Sequence, residues 1–235
     1  MYLAAAPLTW ATPEKPLAEL RLNQPGEAPA EMQGAAGTGV SALADDLAFD
    51  NTSAPAMGVK NGEGPGGGSL MIPGPGALNS FTLQCWYKAE AGVVGSFARL
   101  FDSKKVNVFF NKEGVQLRIG GGTAVCPSDL FRHDGEWVFF AVTYDGSLTE
   151  NNVKFYAGTA GQAVELVQTA GIAEGPAEFA DLYAGNIQGG NRPFAGWLDN
   201  LRLWGDSQGS GGAISEAELE KYRQADLKNV NSPQL

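Results

Sequence analysis

Phe194-Ala-Gly-Trp-Leu-Asp-Asn-Leu-Arg-Leu-Trp204 is a stretch in which the side chains alternate as they do along a β-strand. A period of two places successive side chains on opposite faces of a sheet. One predicted face carries Trp197, Asp199, Leu201 and Leu203. The sequence therefore predicts a long strand here, with the carboxylate of Asp199 among apolar neighbours.

Working outward from this stretch, further strand candidates follow one another at the short, regular intervals typical of a β-sandwich. Turn residues separate several of them, as in Asn111-Lys-Glu-Gly114 and Asp145-Gly146, which favours antiparallel hairpins. The predicted strands are 17–22, 81–88, 99–102, 106–111, 115–119, 123–126, 137–144, 153–158, 164–168, 182–184 and 194–204.

One helix is predicted, close to the C-terminus. Ser215 and Glu218 form the S-x-x-E arrangement of a capping box, and Leu219 and Tyr222 follow at helical spacing. The expected helix spans 216–225. The fold class is therefore all-β, a two-sheet antiparallel β-sandwich (jelly roll) with one short C-terminal helix. We expect an extended lead-in over 1–16, the sandwich over 17–226 and a tail over 227–235.

Composition narrows the possible functions. The chain has 235 residues, with 43% hydrophobic and 18% charged, which is typical of a globular protein. Sixteen Lys and Arg against 26 Asp and Glu give a net charge of −10, which disfavours nucleic acid as a partner. No apolar run is long enough to cross a bilayer, so no membrane insertion is expected.

The sequence holds two cysteines, Cys85 and Cys126, each inside an apolar strand-like run. Their spacing does not match a paired zinc-ligand motif such as C-x-x-C. They are either two buried thiols or one disulfide, because the sequence does not fix the distance between them.

Three segments resemble the laminin G-like (LamG) form of the concanavalin A-like lectin/glucanase superfamily. Phe81-Thr-Leu-Gln-Cys-Trp-Tyr-Lys88 is similar to the family pattern FT-x-x-x-W-x-K, and Gly135-Glu-Trp-Val-Phe-Phe-Ala-Val-Thr-Tyr-Asp145 to G-x-W-H-x-x-A-x-T-Y-D. The opening stretch, followed by Ile214-Ser-Glu-Ala-Glu-Leu219, resembles the family's C-terminal pattern. Val138 and Asn200 depart from these patterns. The resemblance implies two packed antiparallel sheets in a secreted bacterial protein, located outside the cell or in its envelope.

The resemblance also implies a possible calcium site at Asp199, because the matching Asp of relatives often helps hold calcium. A buried carboxylate needs hydrogen bonds, a counter-charge or a metal. Calcium prefers several oxygen ligands, and Asn23, Asp50 and Asn51 are the expected additional donors. In the alternative interpretation Asp199 accepts hydrogen bonds from backbone amides of the N-terminal loop.

A polar loop is the candidate sugar-binding rim. It carries Asn186, Gln188, Asn191 and Arg192 around Gly189-Gly190, with Trp197 nearby as an aromatic surface. Such residues can hydrogen-bond and stack on a pyranose. Ordinary turn chemistry explains the same residues without any ligand.

Catalysis is not expected. Glycosidases of the superfamily pair two carboxylates about 5 Å apart on a strand, typically in E-x-D-x-x-E, and this chain lacks that pattern. His133, the single histidine, is expected in a surface loop. We therefore expect a non-catalytic extracellular module that binds carbohydrate or a cell-surface protein. The alternatives are a structural or adhesive spacer domain of a cell-surface protein and a divergent glycoside hydrolase.

Overall fold

Two six-stranded antiparallel sheets form the framework of the computed structural model. The structure describes residues 15–20, 40–42, 57–59, 70–89, 97–127, 131, 135–188, 192, 194 and 196–231. In chain order the strands are β1 Ala18–Leu20, β2 Val40–Ala42, β3 Met57–Val59, β4 Leu70–Ile72, β5 Gly76–Leu78, β6 Ser80–Ala89, β7 Arg99–Ser103, β8 Val106–Asn111, β9 Gly114–Ile119, β10 Gly122–Pro127, β11 Trp137–Asp145, β12 Val153–Thr159, β13 Glu165–Ala170, β14 Ala177–Phe179, β15 Leu182–Ala184 and β16 Gly196–Asp206. The helix α1 spans Glu216–Asn231.

The first sheet has the order β1-β16-β6-β11-β12-β13, and the second has the order β10-β9-β8-β7-β15-β4. Two short ladders, β14-β5 and β2-β3, complete the described strands. Every described strand pair is antiparallel, as the sandwich prediction requires. The predicted all-β sandwich with one C-terminal helix is therefore confirmed.

The main core is formed by alternate side chains of both sheets. Leu83, Tyr87 and Phe140 belong to the first sheet, and Val108 and Leu117 to the second, and all five are buried in one cluster. Burial of such side chains stabilises each by about 1.5–3 kcal/mol relative to exposure. This shared core explains why the apolar strand patterns predicted the architecture.

A second buried cluster lies on the outer face of the first sheet, under α1. Trp86 and Phe139 meet edge to face with ring centroids 5.4 Å apart, and Trp204 contacts Tyr222 of the helix at 4.9 Å. Leu219 of the helix is fully buried in the same cluster. The outer face of the first sheet is thus covered by the helix.

Arg202 connects the helix to the sheet through a buried ion pair. Its Nη1 and Nη2 donate to the two carboxylate oxygens of Asp226 at 2.9 and 2.6 Å, and both side chains are 2% exposed. Its Nε donates to Glu19 at 2.7 Å, and Trp86 Nε1 donates to Asp226 at 2.9 Å. Burial lowers the pKa of Arg202, but Asp226 and Glu19 outweigh it and raise the pKa above its ordinary value.

One feature of β16 contradicts the sequence prediction. A β-bulge interrupts the pairing with β6, because Asp199 pairs with Trp86 while Arg202 pairs with Gln84. Asn200 has a φ of 47° at this bulge, and the additional residue exchanges the faces beyond it. Asp199 therefore lies on the helix-covered face, whereas Leu201 belongs to the main core. The predicted face shared by Asp199, Leu201 and Leu203 is wrong.

The predicted helix begins where expected and is longer than expected. Ser215 Oγ accepts a hydrogen bond from the Glu218 N–H at 3.3 Å, as a capping residue does. The helix continues past 225 to Asn231. Asp226 and Leu227 make tertiary contacts with the sheet, and these contacts extend the helix beyond its local signals.

Cys85 and Cys126 are not joined by a disulfide, and both are buried in the main core. Burial raises the pKa of the Cys85 thiol well above its ordinary value. Of the two sequence interpretations, the structure supports two buried thiols. Within the described part of the chain, no helix combines the length and apolar character that a membrane span requires.

Asp226→Asn should lower the free energy of unfolding by about 3–5 kcal/mol, because it removes the fully buried counter-charge of Arg202 and leaves the guanidinium with the half-buried Glu19. The measurement is urea denaturation at neutral pH. Glu218→Gln is the control, since it removes an exposed ion pair with Lys221 on the same helix, and it should cost about 0–1 kcal/mol. Equal small losses in both variants would contradict a dominant role for the buried pair.

The free energy of unfolding should also depend on pH, because the carboxyl group of Glu220 on the helix titrates in acid. Hydrogen bonds from Arg223 lower the pKa of Glu220 from 4.5 to about 2; burial opposes this shift, and the backbone N–H of Val164 adds to it. A lowered folded-state pKa means that the stabilisation is complete above pH 4.5 and is lost as the pH falls towards 2.

The free energies of unfolding of the wild type and Glu220→Gln should therefore differ most above pH 5 and converge near pH 2. Urea titrations at pH 6, 4 and 2.5 measure this difference. A difference that stays constant over the series would show that Glu220 acts without its charge.

Candidate functional site

Of the four predicted calcium ligands, the structure describes one, Asp199. Asn23, Asp50 and Asn51 lie outside the described residues, so their role stays a prediction. Asp199 is 2% exposed, and its Oδ1 accepts the Asn200 N–H at 2.8 Å. The side chain of Asn200 is fully buried, and neither its amide nitrogen nor its oxygen has a hydrogen-bond partner among the described residues. Two adjacent polar side chains are thus buried at the bulge.

The predicted sugar-binding rim separates into two groups on different sheets. Trp197 lies on β16 of the first sheet and pairs with Lys88. The Nζ atom of Lys88 is 5.2 Å from the centre of the Trp197 ring. Arg192 instead contacts the second sheet, since its carbonyl accepts the Arg99 N–H of β7 at 3.1 Å. Gln188 is exposed, and Asn191 lies outside the described residues, as does His133. The structure therefore does not place Trp197 and Arg192 in one site.

Asn186 organises the loop that carries Arg192. Its side chain is completely buried, and its Oδ1 accepts the backbone N–H groups of Ile187 and Arg192, both at 2.9 Å. This is the turn chemistry expected as the alternative to ligand binding. Asn186 thus positions Arg192, whose side chain remains exposed.

Arg192 belongs to a cluster of three arginines on the outer face of the second sheet, and we refer to Arg99, Arg118 and Arg192 as the arginine cluster. Phe109 of β8 lies at its centre. The guanidinium carbons of Arg99 and Arg118 are 4.4 and 5.4 Å from the centre of the Phe109 ring. The ring of Phe97 stacks on Phe109 at 6.2 Å, and Arg192 lies 5.3 Å from the centre of Phe97. Cations at these distances are attracted to the ring faces.

Strand register explains how this cluster forms. Arg99 of β7 pairs with Phe109 of β8, and Phe109 pairs with Gln116 of β9. Side chains of directly paired residues lie on one face, and the alternate residue Val108 belongs to the core. Arg118 of β9 pairs with Asn107 of β8, and each lies two residues from the Gln116–Phe109 pair, on the same face. The outer face therefore collects cations, amides and one large aromatic ring.

Asp102 holds Arg99 in place. Its Oδ1 accepts Arg99 Nε at 3.0 Å and Asn107 Nδ2 at 2.9 Å, and Arg99 Nη1 donates to the Phe97 carbonyl at 2.9 Å. Burial raises the pKa of Asp102 above its ordinary value, although Arg99 opposes the shift. Burial also lowers the pKa of Arg99; Asp102 opposes that shift, and the positive charges of Arg192 and Arg118 add to it. The three arginines thus repel one another.

Phe97 is the exposed aromatic residue of this face. Its side chain is 46% exposed, and its backbone has a φ of 57°, a conformation that is unfavourable for a bulky residue. Sequence analysis did not identify Phe97, Arg99 or Arg118, because each stands alone in the sequence. Their convergence depends on strand register, and Arg192 was the one member predicted as a ligand residue.

The sequence matches a known family. The family model described as the concanavalin A-like lectin/glucanases superfamily, Laminin_G_3, matches residues 64–209. The predicted resemblance is therefore confirmed. A search of curated proteins gave no match.

Several solved structures have a similar fold at low sequence identity. Domain 4 of AbnA, a GH43 extracellular arabinanase from Geobacillus stearothermophilus in complex with arabinotriose, has a TM-score of 0.51 and 17% identity, covering 75% of this chain and 84% of that domain. A GH54 α-L-arabinofuranosidase mutant has a TM-score of 0.52 and 9% identity, covering 74% of this chain and 41% of that one. The binding domain of botulinum neurotoxin serotype G has a TM-score of 0.50 and 11% identity, covering 80% and 47%. These likenesses show the shared fold.

Proposed function

The chain belongs to the concanavalin A-like lectin/glucanases superfamily, and we propose that it is a non-catalytic extracellular module that binds carbohydrate. The proposed binding surface is the outer face of its second sheet. The similar domain of an extracellular arabinanase, solved with arabinotriose, supports both the ligand class and the location outside the cell. The same fold serves many functions, so the ligand has to be inferred from the chemistry of the surface.

The observation that carries this proposal is the exposed ring of Phe97. Aromatic side chains provide rigid apolar surfaces for ligands, and here the ring rests on buried Phe109. Arg118 and Arg192 flank the two rings with exposed hydrogen-bond donors. An apolar platform surrounded by a few polar groups is the usual composition of a small-molecule site.

Carboxylate geometry supports a role without catalysis. The described strands of the second sheet carry a single carboxylate, Asp102, and it is engaged by Arg99 and Asn107. Retaining and inverting glycosidases both need two carboxyl groups facing the scissile bond. Asp102 is thus occupied by two donors, and the Glu113 carboxylate, in the turn after β8, accepts a hydrogen bond from Gln116 at 3.2 Å.

Phe97→Ala should lower carbohydrate affinity by about five- to thirtyfold, because covering an exposed aromatic ring with a ligand contributes about 1–2 kcal/mol. The measurement is a glycan array followed by titration calorimetry on the best ligand, with reducing-sugar release recorded in parallel and expected to be absent. Leu148→Ala is the matched control: its side chain is also 46% exposed, and it follows β11 of the first sheet.

Wild-type protein that binds no glycan would favour the alternative of a structural or adhesive spacer. Hydrolysis that is lost when a carboxylate is changed would instead favour a divergent glycoside hydrolase. Loss of binding in Leu148→Ala to the same degree as in Phe97→Ala would remove the assignment of the binding face.

We propose, second, that Asp199 helps hold a calcium ion. The chemistry of the bulge fits a hard cation, because the buried Asp199 carboxylate and the Asn200 amide oxygen are both oxygen donors. No group of three or more His, Cys, Asp or Glu suited to a metal occurs within the described residues. The further ligands would come from Asn23, Asp50 and Asn51.

Calcium chelation should lower the melting temperature of the wild type, because an ion that binds the folded state stabilises it by about 2.7 kcal/mol at a hundredfold excess over its Kd. Asp199→Asn should also melt at a lower temperature and should no longer respond to the chelator. Differential scanning calorimetry measures both. If the wild type melts identically with and without chelator, Asp199 serves only as a hydrogen-bond acceptor.

A further inference from the structure

The arginine cluster is a local concentration of positive charge on an acidic protein. The whole chain has a net charge of −10, yet the described strands of the second sheet place two arginines beside one carboxylate, and Arg192 adds a third cation. Converging like charges reduce stability by their mutual repulsion. A surface arranged in this way is stabilised when an anion joins it.

The cluster also has unused hydrogen-bonding capacity. No described carboxylate lies within salt-bridge distance of Arg118 or Arg192. Arg118 lies over the ring of Phe109, and Arg192 lies over the ring of Phe97. Arg99 uses Nε and Nη1 for Asp102 and the Phe97 carbonyl, while Nη2 makes no hydrogen bond among the described residues. Three guanidinium groups thus present donors around one aromatic platform.

We propose that this face selects carbohydrates that carry a carboxylate, with Phe97 contacting the sugar ring and Arg118 and Arg192 binding the carboxylate. This inference rests on the proposed function and adds the chemical class of the ligand. Guanidinium is a planar group whose paired N–H donors match the two oxygens of a carboxylate. The cation–π contacts keep these guanidinium groups 5.4 and 5.3 Å from the ring centres, so less side-chain freedom is lost on binding.

The net charge of the protein distinguishes two classes of anionic ligand, a sugar with one carboxylate and a densely charged polymer. A polyanion interacts with the field of the whole protein over about 8–10 Å in physiological salt, and the net charge of −10 repels it. A sugar with a single carboxylate meets the arginines at hydrogen-bond distance, where the local contacts dominate. The structure therefore favours uronic-acid or similar acidic sugars over heavily sulfated polymers.

An array of uronic-acid and sialic-acid oligosaccharides, each with its carboxyl methyl ester, tests the proposal with the full chain. The wild type should bind at least one acid at least tenfold more tightly than its ester. Arg118→Gln and Arg192→Gln should each weaken binding of the acid much more than binding of the ester, so that most of this preference is lost. Lys154→Gln, an exposed cation on β12 of the first sheet, is the matched control and should behave as the wild type. Unchanged melting temperatures verify that the variants fold.

Each other outcome overturns the proposal in a distinguishable way. Equal binding of acids and esters by the wild type would overturn the acidic ligand and leave the proposed carbohydrate function standing. Binding of neither acids, esters nor neutral glycans would overturn both. A preference for acids that survives both arginine substitutions would reject the cluster as the site. Binding of sulfated dextran as tightly as the best carboxylated sugar would reject selection of the carboxylate.

Discussion

The buried pair of Arg202 and Asp226 is the interaction on which the arrangement of the layers depends. A guanidinium that is 2% exposed is tolerated only when its donors are satisfied, and here Asp226 of the helix, Glu19 of the edge strand and Gln84 of the central strand satisfy them. Together with the apolar cluster around Trp86 and Leu219, the pair holds the helix on the outer face of the first sheet. Because the first sheet is covered, the outer face of the second sheet is left to provide the proposed binding surface.

Alternation along the strands was sufficient to predict the sandwich, since each apolar face has to be buried against the other sheet. The same alternation misplaced Asp199, because a bulge at Asn200 inserts one residue and reverses the faces beyond it. Asn200 has a positive φ, which asparagine tolerates better than most residues. The presence of an asparagine in a strand is not enough to predict a bulge, however. The C-terminal part of the helix likewise depends on the contact between Asp226 and Arg202 of the sheet. Such a tertiary contact cannot be predicted from the local sequence.

The proposed site was less accessible from the sequence than the fold was. The polar loop was predicted as a sugar-binding rim with turn chemistry as the alternative, and Asn186 makes the backbone hydrogen bonds that turn chemistry requires. Trp197 was grouped with them by sequence proximity, whereas it lies on β16 of the first sheet. Arg99 and Arg118 meet at Phe109 only through the pairing of β7, β8 and β9. Such convergence requires knowledge of the register.

The two faces use charge in opposite ways. Beneath the helix, Arg202 is surrounded by acceptors, so the unliganded protein already satisfies it and the ion pair serves the fold. On the second sheet, Asp102 satisfies one arginine and leaves two others against aromatic rings. Repulsion among the three is then a cost that the main core has to offset. Because a buried core of this size can offset it, the surface is able to keep its arginines in the geometry that we propose an acidic sugar completes.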